Sequence, residues 1–98
     1  MLTIKTTDVF DAWLDALKDR AAKGRIVARL RKASHGLLGD VKPVGEGVFE
    51  MREHFGPGYR LYFVKRGTAL IVMLAGGNKS SQSKDIAHAL KLAHELEI

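Results

Sequence analysis

Two cationic residues stand in segments whose composition otherwise predicts buried β-sheet. Arg60 comes directly after the turn Gly56-Pro57-Gly58 and its following tyrosine, and Lys79 follows Gly76-Gly77 at the end of an apolar run. A charged side chain is costly to keep near a core unless its head reaches water, a partner or a ligand. The chain has a net charge of +5 and a pI near 9.8. We therefore predict that these residues bind an anion, specifically a phosphate backbone.

A predicted hairpin brings further polar side chains to Arg60. Period-two alternation predicts strands over 48–55 and 59–65, with a tight turn between them. With this pairing, four side chains point to the same side of the sheet: Arg52, His54, Arg60 and Tyr62. Together with Lys79 on a nearby loop, they predict a cationic cleft with one aromatic ring, able to hold phosphates and stack a base. The competing interpretation is a solvated sheet face on which Glu50 and Glu53 pair with the cations.

Cleavage of RNA without a metal would require few groups. The ribose 2′-hydroxyl attacks the adjacent phosphate, and fixed positive charges stabilise the negative charge that develops. Arg60, Arg52 and Lys79 could supply these charges. His54 could transfer the proton, as could Tyr62 if its pKa were perturbed, although a single histidine on a strand is more often structural. An exposed Arg60 would contribute little to folding.

Other chemistries find little support in the residue types present. The absence of cysteine excludes disulfides, thiolate zinc sites and thiol catalysis. The acidic residues Asp8, Asp11 and Asp15 lie on a predicted solvent face, so they do not converge as a two-metal nuclease requires. Residues 76–80 lack the full spacing of a nucleotide-binding phosphate loop. We therefore predict no metal and no cofactor.

The hydrophobic periodicities predict an α+β fold in a single domain spanning residues 1–98. The predicted order is an edge strand at 2–4, a helix capped by Asp8, a second helix after a break near Gly24, strands at 48–55, 59–65 and 68–75, and a last helix from Ser81 or Ser83 to Ile98. These elements form a small antiparallel sheet, an edge strand plus a three-stranded meander. Two N-terminal helices and one C-terminal helix pack on it, and 37–47 is predicted as a loop or irregular edge.

The second predicted helix carries the densest basic cluster of the chain on its exposed side, namely Arg25, Arg29, Arg31 and Lys32. Such a cluster is either a solvated surface or a surface that attracts RNA or an acidic partner. The longest apolar run, 69–75, is too short to span a bilayer, and the N-terminus lacks the apolar core of a signal peptide. These features predict a cytoplasmic protein without a membrane partner.

Several short motifs, in a fixed order along nearly the whole chain, resemble those of the HigB-like addiction-module killer proteins within the RelE/ParE toxin superfamily. They are Leu38-Gly39-Asp40-Val41-Lys42, Val44-Gly45-Glu46-Gly47-Val48, Glu50-Met51-Arg52, Gly56-Pro57-Gly58-Tyr59-Arg60-Leu61-Tyr62-Phe63, Leu74-Ala75-Gly76-Gly77-Asn78-Lys79-Ser80, and Gln82 followed by Asp85-Ile86. The resemblance implies a RelE-like compact fold and a type II toxin that cuts mRNA on the translating ribosome without a metal.

The resemblance also implies partners and site residues. The expected partner is an antitoxin with a helix-turn-helix domain, and the toxin–antitoxin hetero-oligomer would bind operator DNA. Arg60 matches a cleavage-site arginine, and Arg52 and Lys79 match basic positions around it. Lys42 is a basic residue in a motif of the resemblance. With the basic cluster of the second helix, the RNA-binding positions predicted are Lys42, Arg29, Arg31, Lys32 and Gln82.

The sequence departs from the best-studied RelE pattern at two points. The catalytic tyrosine expected near the last helix is missing, since this region reads Ser83-Lys84-Asp85-Ile86-Ala87, and Ser80 stands where a second arginine is expected. Either Tyr62, His54 or Gln82 compensates, or the activity is weaker, or the target differs. Two alternatives therefore stay open: a ParE-like inhibitor of DNA gyrase that cuts no RNA, and a basic nucleic-acid-binding module.

Overall fold

Three helices and a five-stranded sheet make up the computed structural model, which describes residues 1–96. In chain order the elements are β1 (Thr3–Thr6), α1 (Asp8–Ala16), α2 (Arg20–Ser34), β2 (Val41–Gly45), β3 (Val48–Arg52), β4 (Tyr59–Arg66), β5 (Leu70–Asn78), a single 3₁₀ turn (Lys79–Ser81) and α3 (Gln82–Glu95). The predicted α+β fold, with two N-terminal helices and one C-terminal helix, is confirmed. Residues 97–98 of the predicted last helix lie outside the described residues.

The sheet has the strand order β1-β5-β4-β3-β2. The meander β3-β4-β5 is antiparallel as predicted, but β1 pairs with β5 in parallel, so the prediction of a fully antiparallel sheet is wrong. An alternating pattern identifies a strand without giving its direction, which explains this error. β2 lies in the segment predicted as a loop or irregular edge, yet it pairs with β3 across a register shift between Pro43 and Gly45. A proline is tolerated there because β2 is an edge strand.

The break between the first two helices lies at 17–19 and not near Gly24, which is inside α2. Asp19 sets the start of α2 because its carboxylate accepts hydrogen bonds from the backbone N–H groups of Ala21 and Ala22, at 3.0 and 3.1 Å. Thr7, and not Asp8, caps α1. The Thr7 hydroxyl accepts from the Phe10 N–H and donates to the Leu74 carbonyl at 2.6 Å, which ties the start of α1 to β5.

Helices cover both faces of the sheet. One apolar cluster lies between the sheet and the N-terminal helices, and a second lies between the sheet and α3. β5 continues through Gly76 and Gly77, although the glycine pair predicts a break. At Gly76 the Trp13 ring occupies the space that a Cβ would need, and at Gly77 the Asp85 carboxylate does so. These glycines therefore allow the helices to approach β5.

Candidate nucleic-acid interface

A shallow pocket of about 260 Å³ lies where β3 leads into β4, beside the end of β5. Its walls combine the turn between these strands with three of the predicted site residues, Arg60, His54 and Lys79. Arg52 and Tyr62 do not line it. The structure therefore brings together part of the predicted cluster in one concave, positively charged surface.

The predicted hairpin is present, but β3 ends at Arg52, so His54 lies beyond the strand on which it was predicted. Arg52 pairs with Arg60, and Glu50 with Tyr62, so these side chains share one face of the sheet. That face is not open to solvent as both sequence interpretations required, because α3 packs over it. The predicted residues therefore divide into two groups. Arg60 and Tyr62 are buried on the face that α3 covers, with Gln82 at the start of that helix. Arg52 and His54 lie at the more exposed rim of the pocket.

Arg60 is only 8% exposed, which contradicts the prediction of an exposed cation. Its Nη1 donates to the carbonyls of Glu53 and Tyr59, at 3.2 and 3.4 Å. Its Nε is buried and has no hydrogen-bond partner within residues 1–96, although it lies 4.0 Å from Oε1 of Glu50. The Arg60 guanidinium is thus a fixed charge beside the pocket, and its Nε is shielded from solvent.

Tyr62 and Gln82 lie behind the pocket wall and contact the buried carboxylate of Glu50. Tyr62 is fully buried and donates its hydroxyl to Oε2 of Glu50 at 3.2 Å, and the Gln82 Nε2 donates to the same oxygen at 2.7 Å. Burial, reinforced by the negative charge of Glu50, raises the pKa of Tyr62 well above its usual range. The prediction that the Tyr62 ring lies in an open cleft and can stack a base is wrong, and its phenol stays protonated at neutral pH.

Glu50 has a structural role that its sequence context does not predict. It is 1% exposed, and a buried carboxylate needs donors or a counter-charge. Tyr62, Gln82 and the nearby Arg60 provide them. Strand parity places Glu50 on the same strand face as Arg52, but this position indicates a buried residue only once α3 is placed over the sheet.

Arg52 and His54 lie beside a second carboxylate. Asp40 accepts from Nη2 of Arg52 at 2.9 Å through Oδ1, and contacts Nε2 of His54 at 2.6 Å through Oδ2. These hydrogen bonds, with that of Arg52 the larger, lower the pKa of Asp40 to about 2. Asp40 is therefore ionised at neutral pH and contacts both Arg52 and His54.

Arg29 does not lie on the exposed side of α2 as predicted. Its guanidinium donates to the carbonyls of Leu38, Asp40 and Arg52 at 2.8–3.2 Å, and to the Glu53 carboxylate at 2.5 Å. Its side chain is 13% exposed. The hydrogen bonds of Arg29 thus connect α2 to the segment before β2 and to the end of β3. The structure therefore gives Arg29 a structural role, although an RNA contact was predicted.

The remaining predicted RNA-binding residues lie outside the pocket. Arg31 and Lys32 are exposed on α2, and Lys42 is exposed on the edge strand β2. Lys32 lines a separate groove of about 730 Å³ between α2 and residues 36–40, where the Arg25 guanidinium lies 4.6 Å above the Phe55 ring. The basic charge of the protein is therefore spread over a surface wider than the pocket.

Lys79 is positioned by the turn that ends β5. Its backbone N–H donates to the Pro57 carbonyl at 3.4 Å, and Asn78 caps the turn by accepting from the Ser80 N–H at 3.0 Å. Gly58 has φ +75° and lies so close that a Cβ there would be 3.3 Å from the Lys79 Cβ. The glycine lets the two loops meet and brings Lys79 to the pocket.

Within residues 1–96, no group of three or more His, Asp or Glu side chains is arranged to hold a metal ion. Over the same residues, no helix is long and apolar enough to cross a membrane.

The fold and the pocket define a small α+β domain with a basic cleft at the end of a covered sheet. Residues 12–96 match the family described as Phage derived protein Gp49-like (DUF891). The chain is also 46% identical over 95 residues to an uncharacterized protein of Haemophilus influenzae, an alignment that covers 97% of this chain and 96% of that protein. The chain therefore belongs to the Gp49-like family.

The fold is shared with a solved structure of low sequence similarity. A conserved hypothetical protein from Helicobacter pylori, whose structure was determined in solution, superposes with a TM-score of 0.58 at 17% identity. The match covers 82% of this chain and 97% of that one. At this level of identity the likeness concerns the fold.

Proposed function

We propose that this protein is the toxin of a type II toxin–antitoxin system and that it cleaves mRNA on the ribosome without a metal ion. The observation that carries the proposal is the joint presence of Arg60, His54 and Lys79 in the walls of one pocket. It is supported by membership of the Gp49-like family and by the motif resemblance to HigB-like killer proteins. We infer that the toxin acts in the cytoplasm, where translating ribosomes are found.

The proposed reaction is an in-line displacement at phosphorus. The ribose 2′-oxygen bonds to the adjacent phosphorus while its proton passes to the neutral His54 imidazole. The P–O5′ bond breaks, and the 5′-oxygen takes up a proton from water. The imidazolium later returns its proton to solvent. The products are a 2′,3′-cyclic phosphate and a 5′-hydroxyl.

Arg60 and Lys79 stabilise the extra negative charge that the phosphate carries during this displacement. Preorganised cations are effective because they need no reorganisation as the charge develops. Arg60 fits this task, since its Nη1 is anchored to two carbonyls and its side chain lines the pocket. Arg52 lies next to His54 on the same carboxylate and adds a second guanidinium at the rim.

The exposed basic residues would bind RNA less specifically. Arg31, Lys32 and Lys42 supply positive charge around the domain, and phosphate contacts of this kind give affinity independent of sequence. The same charge would attract an acidic antitoxin segment. We propose a helix-turn-helix antitoxin as partner, with operator DNA bound by the complex.

One structural observation favours a second candidate, a ParE-like inhibitor of DNA gyrase. Tyr62 is buried and kept protonated, so among the predicted residues only His54 is placed at the pocket as a proton carrier. A toxin that blocks its target by binding would need none. Expression of the protein without its antitoxin distinguishes the two. Translation arrest with new mRNA 5′ ends in coding regions supports the nuclease, whereas intact mRNA with DNA-damage signalling supports gyrase inhibition.

A further inference from the structure

Asp40 contacts two of the predicted catalytic residues at the rim of the pocket. Each carboxylate oxygen of Asp40 contacts a different side chain. Oδ1 accepts from Nη2 of Arg52 at 2.9 Å, and Oδ2 lies 2.6 Å from Nε2 of His54. The sequence gives Asp40 no role beyond its place in a motif. Its position between Arg52 and His54 suggests a role in arranging them.

The backbone holds this carboxylate in place. The Asp40 carbonyl accepts from Nη2 of Arg29 at 3.0 Å and from the Arg52 N–H at 2.9 Å. The preceding Gly39 has φ +73°, and a Cβ there would lie 3.0–3.1 Å from the Arg29 guanidinium. Arg29 thus packs on a glycine and fixes the segment that carries Asp40. The carboxylate is placed by α2 and β3 together, which makes it a suitable anchor for neighbouring side chains.

The contact with Asp40 decides which nitrogen of His54 carries the proton. A carboxylate can only accept, so Nε2 of a neutral His54 must donate to Oδ2. Nδ1 is then the unprotonated nitrogen, on a side chain that lines the pocket with Arg60 and Lys79. An imidazole oriented in this way by a carboxylate has the correct tautomer to accept a proton at its other nitrogen.

We propose that Asp40 is a positioning residue, which holds His54 as the Nε2–H tautomer and keeps Arg52 beside it, so that Nδ1 of His54 accepts the proton of the attacking 2′-hydroxyl. This inference rests on the proposed nuclease function and adds a residue to its machinery. The charged and titratable groups around His54 are Asp40 from the segment before β2, Arg52 from β3, Glu53 next to it in the chain, Arg60 from β4, and Lys79 from the 3₁₀ turn.

A first experiment tests the tautomer without RNA. Long-range ¹H–¹⁵N spectra of the imidazole ring are recorded for the wild-type protein, for Asp40→Ala and for the control Asp15→Ala, which removes the same charge from the exposed side of α1. We expect the wild-type and control rings to show the Nε2–H pattern, and the Asp40→Ala ring to show shifts averaged over two tautomers. Identical His54 shifts in all three proteins would overturn the proposal.

A second experiment measures, in a translating extract, both the single-turnover rate of mRNA cleavage and the affinity for RNA. Asp40→Asn, which keeps the size of the side chain, should lower the single-turnover rate at least about tenfold with little change in RNA binding. A decrease in RNA binding that matches the decrease in rate would show a merely structural role and contradict the proposal.

A double-mutant comparison covers the case in which Asp40 variants are poorly folded. If Asp40 acts through His54, the combined variant Asp40→Asn with His54→Ala should lose less than the product of the two single losses. Fully multiplicative losses contradict the proposal. Absence of cleavage by the wild-type protein would instead reject the proposed function, and the tautomer measurement would still decide whether Asp40 positions His54.

Discussion

Arg52 and Arg60 lie directly opposite each other on β3 and β4, as a pair of like charges on one face of the sheet. Such a pair is unfavourable unless each charge is compensated separately. Arg52 turns to Asp40 at the rim, whereas Arg60 stays buried near Glu50 and donates to two carbonyls. The two paired arginines thus have separate compensating carboxylates, Asp40 for Arg52 and Glu50 for Arg60.

The burial of Arg60 changes its expected contribution to stability. We expect Arg60→Met to lower the free energy of unfolding by about 2 kcal/mol, because Glu50 would remain buried without its cation. Urea denaturation followed by circular dichroism measures this. The exposed Arg31→Met serves as the control and should change stability by less than about 0.5 kcal/mol. Equal effects of the two substitutions would mean that Arg60 is not integrated into the core.

Tyr62 should matter for folding and not for chemistry. Tyr62→Phe removes one donor to Glu50, which keeps Gln82, so we expect a decrease in stability of about 1 kcal/mol and nearly unchanged cleavage. A fall in cleavage of tenfold or more in a folded Tyr62→Phe protein would show that the phenol takes part in the reaction.

The raised pKa of Tyr62 also predicts an alkaline dependence of stability. The folded protein holds the phenolic proton above the pH at which the unfolded chain releases it. The contribution is therefore complete below about pH 10, the usual pKa of a tyrosine, and is lost as the pH rises above that value. Unfolding free energies between pH 8 and pH 11 should fall more steeply for the wild type than for Tyr62→Phe. Parallel curves would contradict the assigned burial.

Glycine substitutions test the close approach of the helices to β5. A methyl group at Gly76 would overlap the Trp13 ring, so Gly76→Ala should destabilise the protein by about 1–3 kcal/mol. Gly24 is the matched control, since it lies inside α2 and a Cβ added there would have no atom within 4 Å. Gly24→Ala should stabilise by about 0.5–1 kcal/mol. Thermal unfolding of both variants measures the contrast, and a neutral Gly76→Ala would be inconsistent with the packing.

The sequence predicts most helices and strands, but it predicts less well which of them pack or pair with each other. Apolar periodicity locates the helices and the meander because local spacing reflects burial directly. It misses β2, whose glycine and proline residues are typical of loops, and it places a strand end at Gly76-Gly77. In both cases a tertiary contact determines the structure. β2 forms because it pairs with β3, and β5 continues through Gly76-Gly77 where Trp13 and Asp85 pack on it.

The site is predicted in part for the same reason. Strand parity places Arg52, Arg60 and Tyr62 on one face correctly, but parity cannot show that α3 covers that face. In the sequence, nothing distinguishes Arg29 from the exposed basic residues near it on α2. Only the structure shows that its guanidinium donates hydrogen bonds to three carbonyls and to Glu53. Charge alone does not distinguish a residue that binds a ligand from one that holds a loop.

The exposed basic residues of α2 should contribute to RNA affinity through charge. Arg31→Ala with Lys32→Ala should weaken ribosome binding and reduce the slope of log affinity against log salt, by about one for each phosphate that is no longer bound. The control replaces Lys18 and Lys91, which are also exposed and carry the same total charge. Binding by sedimentation at several salt concentrations measures the effect. Equal decreases in affinity in both double variants would mean that only net charge matters.

We propose Arg60 as the fixed cation of an RNA-cleaving pocket, and mapping of mRNA 5′ ends tests this role most directly. The wild-type protein and Arg60→Lys, which keeps the charge but loses the planar guanidinium, are each added to a translating extract. We predict new 5′-hydroxyl ends in coding regions with the wild type and at least about a hundredfold fewer with Arg60→Lys. New ends at equal frequency with a folded Arg60→Lys protein, or none with the wild type, would contradict the account.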